Sequence, residues 1–326
     1  MKVKLLSFTI SAILTAVFGF IIIPILKRFK IGQPILGYVT EHEGKKGTPT
    51  MGGIIFILGA IVTFFIFNDE KSRLSTLAIS IALGFLVVGF LDDFLKIKFS
   101  KNEGLTPIQK FAFQTIISLI ASYFSFNSGL DFLYIPFFGG KFSLGALVIL
   151  LNALVFVATV NSVNLTDGLD GLCASVSLVV FIALSVLIYI QTKNFPSYIN
   201  AKEYNSLALF SLCMAGAMLG YLLFNVNKAS VFMGDTGSLS IGGAISSIAV
   251  LSGNTLFIPF IGVFYLISTL SVIIQVAKFK RTGKRVFLMA PYHHHLQKKG
   301  FSEGKISFGY AFFTFIISAF SIICSL

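Results

Sequence analysis

Charge is what this sequence has least of: 12% of its 326 residues are Asp, Glu, Lys or Arg, about half the share in a soluble domain. With 56% hydrophobic residues and a mean hydropathy of +0.90, a soluble globular fold is excluded. Cysteine is nearly absent too. Cys173, Cys213 and Cys324 all lie in apolar stretches as small hydrophobes, which argues against a disulfide framework. Acids are outnumbered, 13 against 25 Lys and Arg, for a net charge of +12. In a membrane chain that excess points to positive-inside anchoring and to anionic lipid or substrate rather than to nucleic acid.

Apolar runs are what the sequence has in quantity. Ten occur, at about 5–26, 51–67, 74–91, 107–126, 143–160, 172–191, 205–224, 238–252, 255–277 and 305–325, near the length of about 20 residues that a membrane-crossing helix requires. They predict an all-α integral membrane protein of about ten transmembrane helices, one polytopic domain over 1–326 with no room for a separate soluble domain. The first run ends in Pro24 and Lys27-Arg28 without a small-residue cleavage site, so it reads as a retained helix, not a signal peptide. An even number of spans puts both termini on one side. The connecting segments then divide into a set with 18 Lys and Arg and a set with 7, which places the first set in the cytoplasm and both termini outside. On the outer side, Leu133–Phe142 carries Gly139-Gly140 between aromatic runs and reads as a small hairpin.

Nine of the 13 acids and all four histidines fall on the basic side. Carboxylates at the ends of apolar helices are costly unless they pair, bind a cation or meet a substrate. Asp92-Asp93 closes the third run, where acids oppose the helix dipole. Adjacent helical residues point about 100° apart, which implies separate roles for the two. Asn161, Asn164, Asp167 and Asp170 recur every three residues and line one helical side, with Gly168 and Gly171 permitting close approach or a break.

In Phe232–Ser238 a carboxylate, Asp235, stands in a glycine-flanked turn that opens the eighth run. Free N–H groups at a helix start suit an anion, and the acid can hold a metal beside it; a plain Asp N-cap is the structural alternative. The Asp235-Thr236-Gly237-Ser238 likeness to an aspartic protease loop fails for want of a facing aspartate on a β scaffold. Three consecutive histidines, His293–His295, converge poorly on one zinc ion and fit phosphate contact or acid/base work better. Lys45–Gly53 has the composition of a phosphate-cradling loop without being a Walker motif.

In their order and wording, Lys45–Gly53, Asp92-Asp93, Asn161–Gly171, Phe232–Gly242 and Arg285–His295 resemble the phospho-N-acetylmuramoyl-pentapeptide transferase family, within the superfamily of polyprenyl-phosphate N-acetylhexosamine-1-phosphate transferases. The likeness covers nearly the whole chain, and Pro291–His295 is the segment that looks like the muramoyl branch. Phe301 replaces a tryptophan, with aromatic character retained. The resemblance implies that UDP-N-acetylmuramoyl-pentapeptide and undecaprenyl phosphate give lipid I and UMP with magnesium, on the cytoplasmic face of a bacterial inner membrane. It implies Asp235 as magnesium ligand, Asp92 and Asp93 as catalytic pair, and His293 and His294, with Gln275, near the sugar and phosphates. Phe232 and Asn225 match positions that hold uracil and ribose, Asn164, Asp167 and Asp170 match polar positions of the nucleoside and metal cavity, and Asn161 belongs to the implied substrate-binding set. Lys45, Lys46, Thr50, Lys96, Lys110 and His295 complete the implied substrate-binding set. The implied partners are the two substrates and membrane lipid, with no nucleic acid, and a homodimer stays open.

Two rivals differ in kind. A transferase of another N-acetylhexosamine 1-phosphate would share most motifs. A secondary transporter would carry its acids near the midplane and echo itself between halves, whereas these acids gather at one face and no repeat is visible. For the chemical step, the acceptor's second pKa of about 6 leaves it largely dianionic at neutral pH, which favours direct in-line attack over a phosphoryl-enzyme. Asp93 then takes or orients any residual proton, and Asp92 supports the metal and lysines.

Overall fold

The computed structural model describes residues 2–29, 47–68, 71–99, 104–138, 140–194, 200–226 and 228–325. Among them, ten helices of 15 to 27 residues overlap the ten apolar runs. These are α1 (Lys2–Arg28), α2 (Gly53–Phe67), α3 (Arg73–Lys98), α4 (Pro107–Asn127), α5 (Leu147–Thr166), α6 (Leu172–Asn194), α7 (Ala201–Asn225), α8 (Gly234–Leu251), α10 (Val263–Thr282) and α12 (Glu303–Ile323). Two short helices, α9 (Ile258–Ile261) and α11 (Tyr292–Lys298), flank α10. The expected hairpin is present as β1 (Phe132–Ile135) antiparallel to β2 (Gly140–Ser143), with Leu133 opposite Phe142.

The chain is an all-α integral membrane protein. Seven of the helices are long and apolar enough to cross a membrane, and rings such as Phe20, Phe308 and Phe320 stand exposed on their outer faces, as lipid contact requires. The other three depart from the simple picture for physical reasons. At 15 residues, α2 spans about 22 Å, short of a bilayer core of about 30 Å. Gln109, Lys110 and Gln114 dilute α4. Glycine and serine dilute α8, which is buried from Thr236 to Leu251 and so faces protein instead of lipid. The ninth run is not one helix: Asn254 to Gly262 forms a 3-10 turn and α9, Pro259 lies near the start of α9, and α10 begins only at Val263. Helix α1, by contrast, continues through Pro24.

Helix α8 is the axis of the molecule, and small residues let its neighbours close on it. A side chain on Gly53 of α2 would strike Gly237, one on Gly89 of α3 would strike the Asp235 carbonyl, and one on Gly242 would strike Val160 of α5. The outer pair α1 and α7 use the same device, with Gly216 against the Phe8 carbonyl and Ser11 Oγ donating to the Cys213 carbonyl at 2.6 Å.

The two ends of the bundle differ. Lys4 donates to Asn205 at the start of α7, the Phe137 amide beside the hairpin donates to Ser325, and Tyr134 N–H donates to the Gly253 carbonyl. Both chain ends therefore lie with the hairpin. The opposite end holds the C-terminal parts of α3, α5 and α7 and the N-terminal parts of α4, α6, α8 and α12, and Asp92, Asp93, Asn164 and Asp235 meet there.

Candidate active site

Asp92 and Asp93 sit in the last turns of α3, and, as their divergent directions require, each has its own employment. The start of α8 has no side-chain cap of its own, and its free amides turn to Asp93. Oδ1 accepts from Asp235 N–H at 3.2 Å, while Oδ2 accepts from Thr236 N–H at 2.9 Å and Thr236 Oγ–H at 2.7 Å. Asp93, fully buried, thus caps α8 from a neighbouring helix. Asp92 instead accepts from Leu105 N–H through Oδ1, tying down the approach to α4, and meets Lys96 Nζ at 2.6 Å through Oδ2.

Capping by Asp93 fixes Asp235, whose carboxylate gathers three donors. Lys96 Nζ lies 2.7 Å and Lys110 Nζ 3.0 Å from Oδ2, and Asn164 donates to Oδ1 while also reaching Ser238 Oγ at 2.8 Å. Gly234 makes the turn possible: its φ is +71°, and a side chain there would collide with Asp93 Oδ2 and Thr50 Oγ. Oxygens of Asp92, Asp93 and Asp235 lie within 4.8 Å of one another, hard donors close enough to share a divalent cation. Asp235 and Asp92 fit that task better than Asp93, whose oxygens are held by α8. A lysine ammonium already stands where positive charge is needed. Beside this cluster a cavity of about 920 Å³ opens between Asp235, Lys110, Asn161 and Phe111.

Two loops are laced together above it. Phe232 N–H donates to the Pro49 carbonyl and Gly52 N–H to the Phe232 carbonyl, which brings Thr50 under Gly234 and leaves the Phe232 ring half-buried. Lys45, Lys46 and His42 lie outside the described residues.

The remaining residues separate into a rim and a set of braces. On the rim, Gly168 packs against the Nε2 atoms of His293 and His294, so that α11 docks on the loop after α5. His293 is fully buried, and among the described residues neither ring nitrogen has a partner. Burial, reinforced by His294, pushes it down to about 3, so it is a neutral imidazole and not a phosphate-clamping cation. Enclosure, then the charges of Asp235, Asp93 and Asp170, hold the nearby Asp167 carboxyl well above its usual range. His294 Nδ1 meets Gln297 Oε1 at 3.0 Å, and Gln297 Nε2 faces Glu303 Oε1 at 3.4 Å. A carboxylate only accepts, so the amide must turn its nitrogen to Glu303 and its oxygen to His294. His294 Nδ1 therefore donates to Gln297 Oε1.

Four implied substrate residues are occupied with backbone. Asn225 accepts from Gly171 N–H and donates to the Val231 carbonyl, and Asp170 accepts from Ala229 N–H. Gln275 accepts from the amides of Val286 and Phe287 at 2.9 Å, and His295 Nδ1 accepts from Leu288 N–H. These four hold neighbouring loops in place. Thr236, Ser238, Gln297 and Glu303 were missed in the sequence. The first two stood inside the Phe232–Gly242 motif, and Glu303 stood among the nine acids of the basic side.

An ammonium-balanced cluster of aspartates at one end of a polytopic helical bundle defines a membrane-embedded transferase of the glycosyl transferase family 4 class, which matches residues 74–253. A phospho-N-acetylmuramoyl-pentapeptide-transferase signature also matches residues 45–57. The relative of that name from Clostridium perfringens (strain SM101 / Type A) is 42% identical over 319 residues, 98% of this chain and 92% of its own length. The one from Bacillus subtilis (strain 168) is 41% identical over 308 residues, 93% of this chain and 90% of its own. The chain belongs to the phospho-N-acetylmuramoyl-pentapeptide-transferase family.

Proposed function

We propose that the protein transfers phospho-N-acetylmuramoyl-pentapeptide from its UDP-linked donor to undecaprenyl phosphate, giving lipid I and UMP at the cytoplasmic face of a bacterial inner membrane. The observation that carries this reading is the meeting of Lys96 and Lys110 on Asp235, in reach of Asp92. Two ammonium groups and hard carboxylate oxygens in one enclosure suit a diphosphate with a divalent cation. The likeness to the named relatives supports the choice of sugar. The end of the bundle that bears the site is the one whose connecting segments hold 18 of the 25 basic residues, and the positive-inside rule assigns it to the cytoplasm.

Magnesium, held by Asp235 with Asp92, would neutralise charge building on the diphosphate oxygens. The rest is the work of the chain. Lys96 and Lys110 turn from Asp235 to phosphoryl oxygens, and Asn164 keeps the other Asp235 oxygen in place. Half-buried Phe232 offers a face for uracil to stack on, in a pocket braced by Asn225 and Asp170. An oxygen of the acceptor phosphate bonds to the β-phosphorus of the donor as the bond from that phosphorus to the bridging oxygen breaks, and UMP leaves with the electron pair. A dianionic acceptor asks for no general base. Asp93, with three hydrogen bonds from α8, suits holding Asp235 better than taking a proton, the role read from the sequence.

Purified protein supplied with magnesium and undecaprenyl phosphate should convert UDP-N-acetylmuramoyl-pentapeptide and leave UDP-N-acetylglucosamine untouched. The reverse preference would favour the rival sugar transferase. Without lipid, the nucleotide substrate should yield no stoichiometric UMP; a lipid-independent burst would establish a covalent intermediate instead.

A further inference from the structure

Gln114 lies on α4 one turn beyond Lys110, on the wall of the cavity beside Asp235. It is 1% exposed, and its Nε2 has no partner among the described residues. Its orientation is forced by its neighbour. Asn161 Nδ2 donates at 2.8 Å to the Val157 carbonyl, which can only accept, and its other N–H goes to Gln114 Oε1 at 2.7 Å. The Gln114 oxygen is thereby occupied and its NH₂ group is left as a buried donor without an acceptor, a costly condition in the interior.

The surroundings say what acceptor suits it. Lys110 and Lys96 line the same cavity beside Asp92 and Asp235, and an incoming anion that draws the two ammonium groups from those carboxylates is also an acceptor for the free amide N–H. Leu105, Pro107 and Phe111 complete the wall, and Phe111 and Ile108 carry exposed apolar surface outward from it. An oxyanion with an apolar tail fits; a water-soluble nucleotide gains nothing from such a rim. We infer that Gln114 is a binding residue for the phosphate of the polyprenyl acceptor, with Asn161 as the positioning residue that aims its amide. The inference rests on the transfer reaction proposed above, because only that reading supplies a lipid-borne phosphate.

The test uses the full chain in lipid nanodiscs, with direct binding of undecaprenyl phosphate measured beside turnover. Gln114→Leu removes the donor. Gln114→Glu keeps an oxygen for Asn161 and turns a second oxygen toward the anion. Loss of one charge-assisted hydrogen bond predicts about tenfold weaker lipid binding and an acceptor KM raised about tenfold in Gln114→Leu, with a larger loss in Gln114→Glu. UMP binding and donor KM should stay within about twofold, which reports that the fold is intact. An unchanged acceptor affinity while lipid I is still made, or an equal rise in both KM values, overturns the inference and leaves the reaction standing. Gln114-dependent lipid binding without any lipid I supports the inference and refutes the reaction. Inorganic phosphate should not compete with the lipid; competition that disappears in Gln114→Leu would assign the amide to a free anion and overturn the lipid assignment.

Discussion

Lys96 Nζ lies 2.7 Å from Asp235 Oδ2, an ion pair that joins the end of α3 to the start of α8. The same ammonium touches Asp92 at 2.6 Å and stands 4.0 Å from Asp93. One side chain thus balances three carboxylates, each costly to gather without a counter-charge.

That balance predicts how Lys96→Met behaves. Without the ammonium, the carboxylates repel, and breaking a largely enclosed pair costs about 3 kcal/mol. Divalent cations compete for the same oxygens, so magnesium should raise the melting temperature of the variant more than that of the unaltered protein. Thermal unfolding in detergent with and without magnesium measures this. Equal shifts in both proteins would mean that Lys96 does not stand in for the metal.

Gly89 brings α8 against α3 at the Asp235 carbonyl, where a side chain would collide with backbone. Gly89→Ala should cost about 1–3 kcal/mol. It should also cut kcat about a hundredfold, the scale expected for displacing a reacting group by about 1 Å. Gly84→Ala, five residues earlier in α3 and facing only Ile117 side-chain atoms at 3.7 Å, is the control and should retain activity. Comparable losses in the two would show that α3 tolerates no methyl group, and that Asp235 is not specially placed.

His293 links the site to pH through stability. Its folded value of about 3 lies below the ordinary 6.5, so the unfolded chain binds the proton more readily and stability rises with pH between those limits. Acidifying from neutral to pH 5 should therefore cost about 2 kcal/mol through this residue, and His293→Gln should flatten that part of the melting-temperature profile. A profile that is unchanged by the substitution would show that His293 is solvated.

The site was most legible where charge interrupts hydrophobicity. Asp92, Asp93 and Asp235 announce themselves because a carboxylate in an apolar run demands a partner. Their division of labour followed from the angle between neighbouring helical residues, although nothing in the sequence said that Asp93 caps a helix whose first bonded amide lies 142 residues further on. Amides are quieter. Asn225 and Gln275 have the right chemistry for a ligand, and the structure adds that they bond to backbone, which the sequence does not reveal because a side chain that hydrogen-bonds backbone looks the same there as one that does not. Gln114 follows Lys110 by four residues on one face of α4, a spacing that could have flagged it, but an uncharged amide carries no visible cost until its surroundings are known. The break before α10 was hidden because Pro259 and Gly262 leave the run apolar throughout.

The most direct measurement compares the unaltered protein with Asp235→Asn, each given magnesium, UDP-N-acetylmuramoyl-pentapeptide and undecaprenyl phosphate, with UMP and lipid-linked product quantified together. The unaltered protein should release the two in equal amounts, and Asp235→Asn should release neither while keeping its melting temperature within a few degrees. UMP without lipid I, or full turnover by Asp235→Asn, would contradict a transfer centred on Asp235.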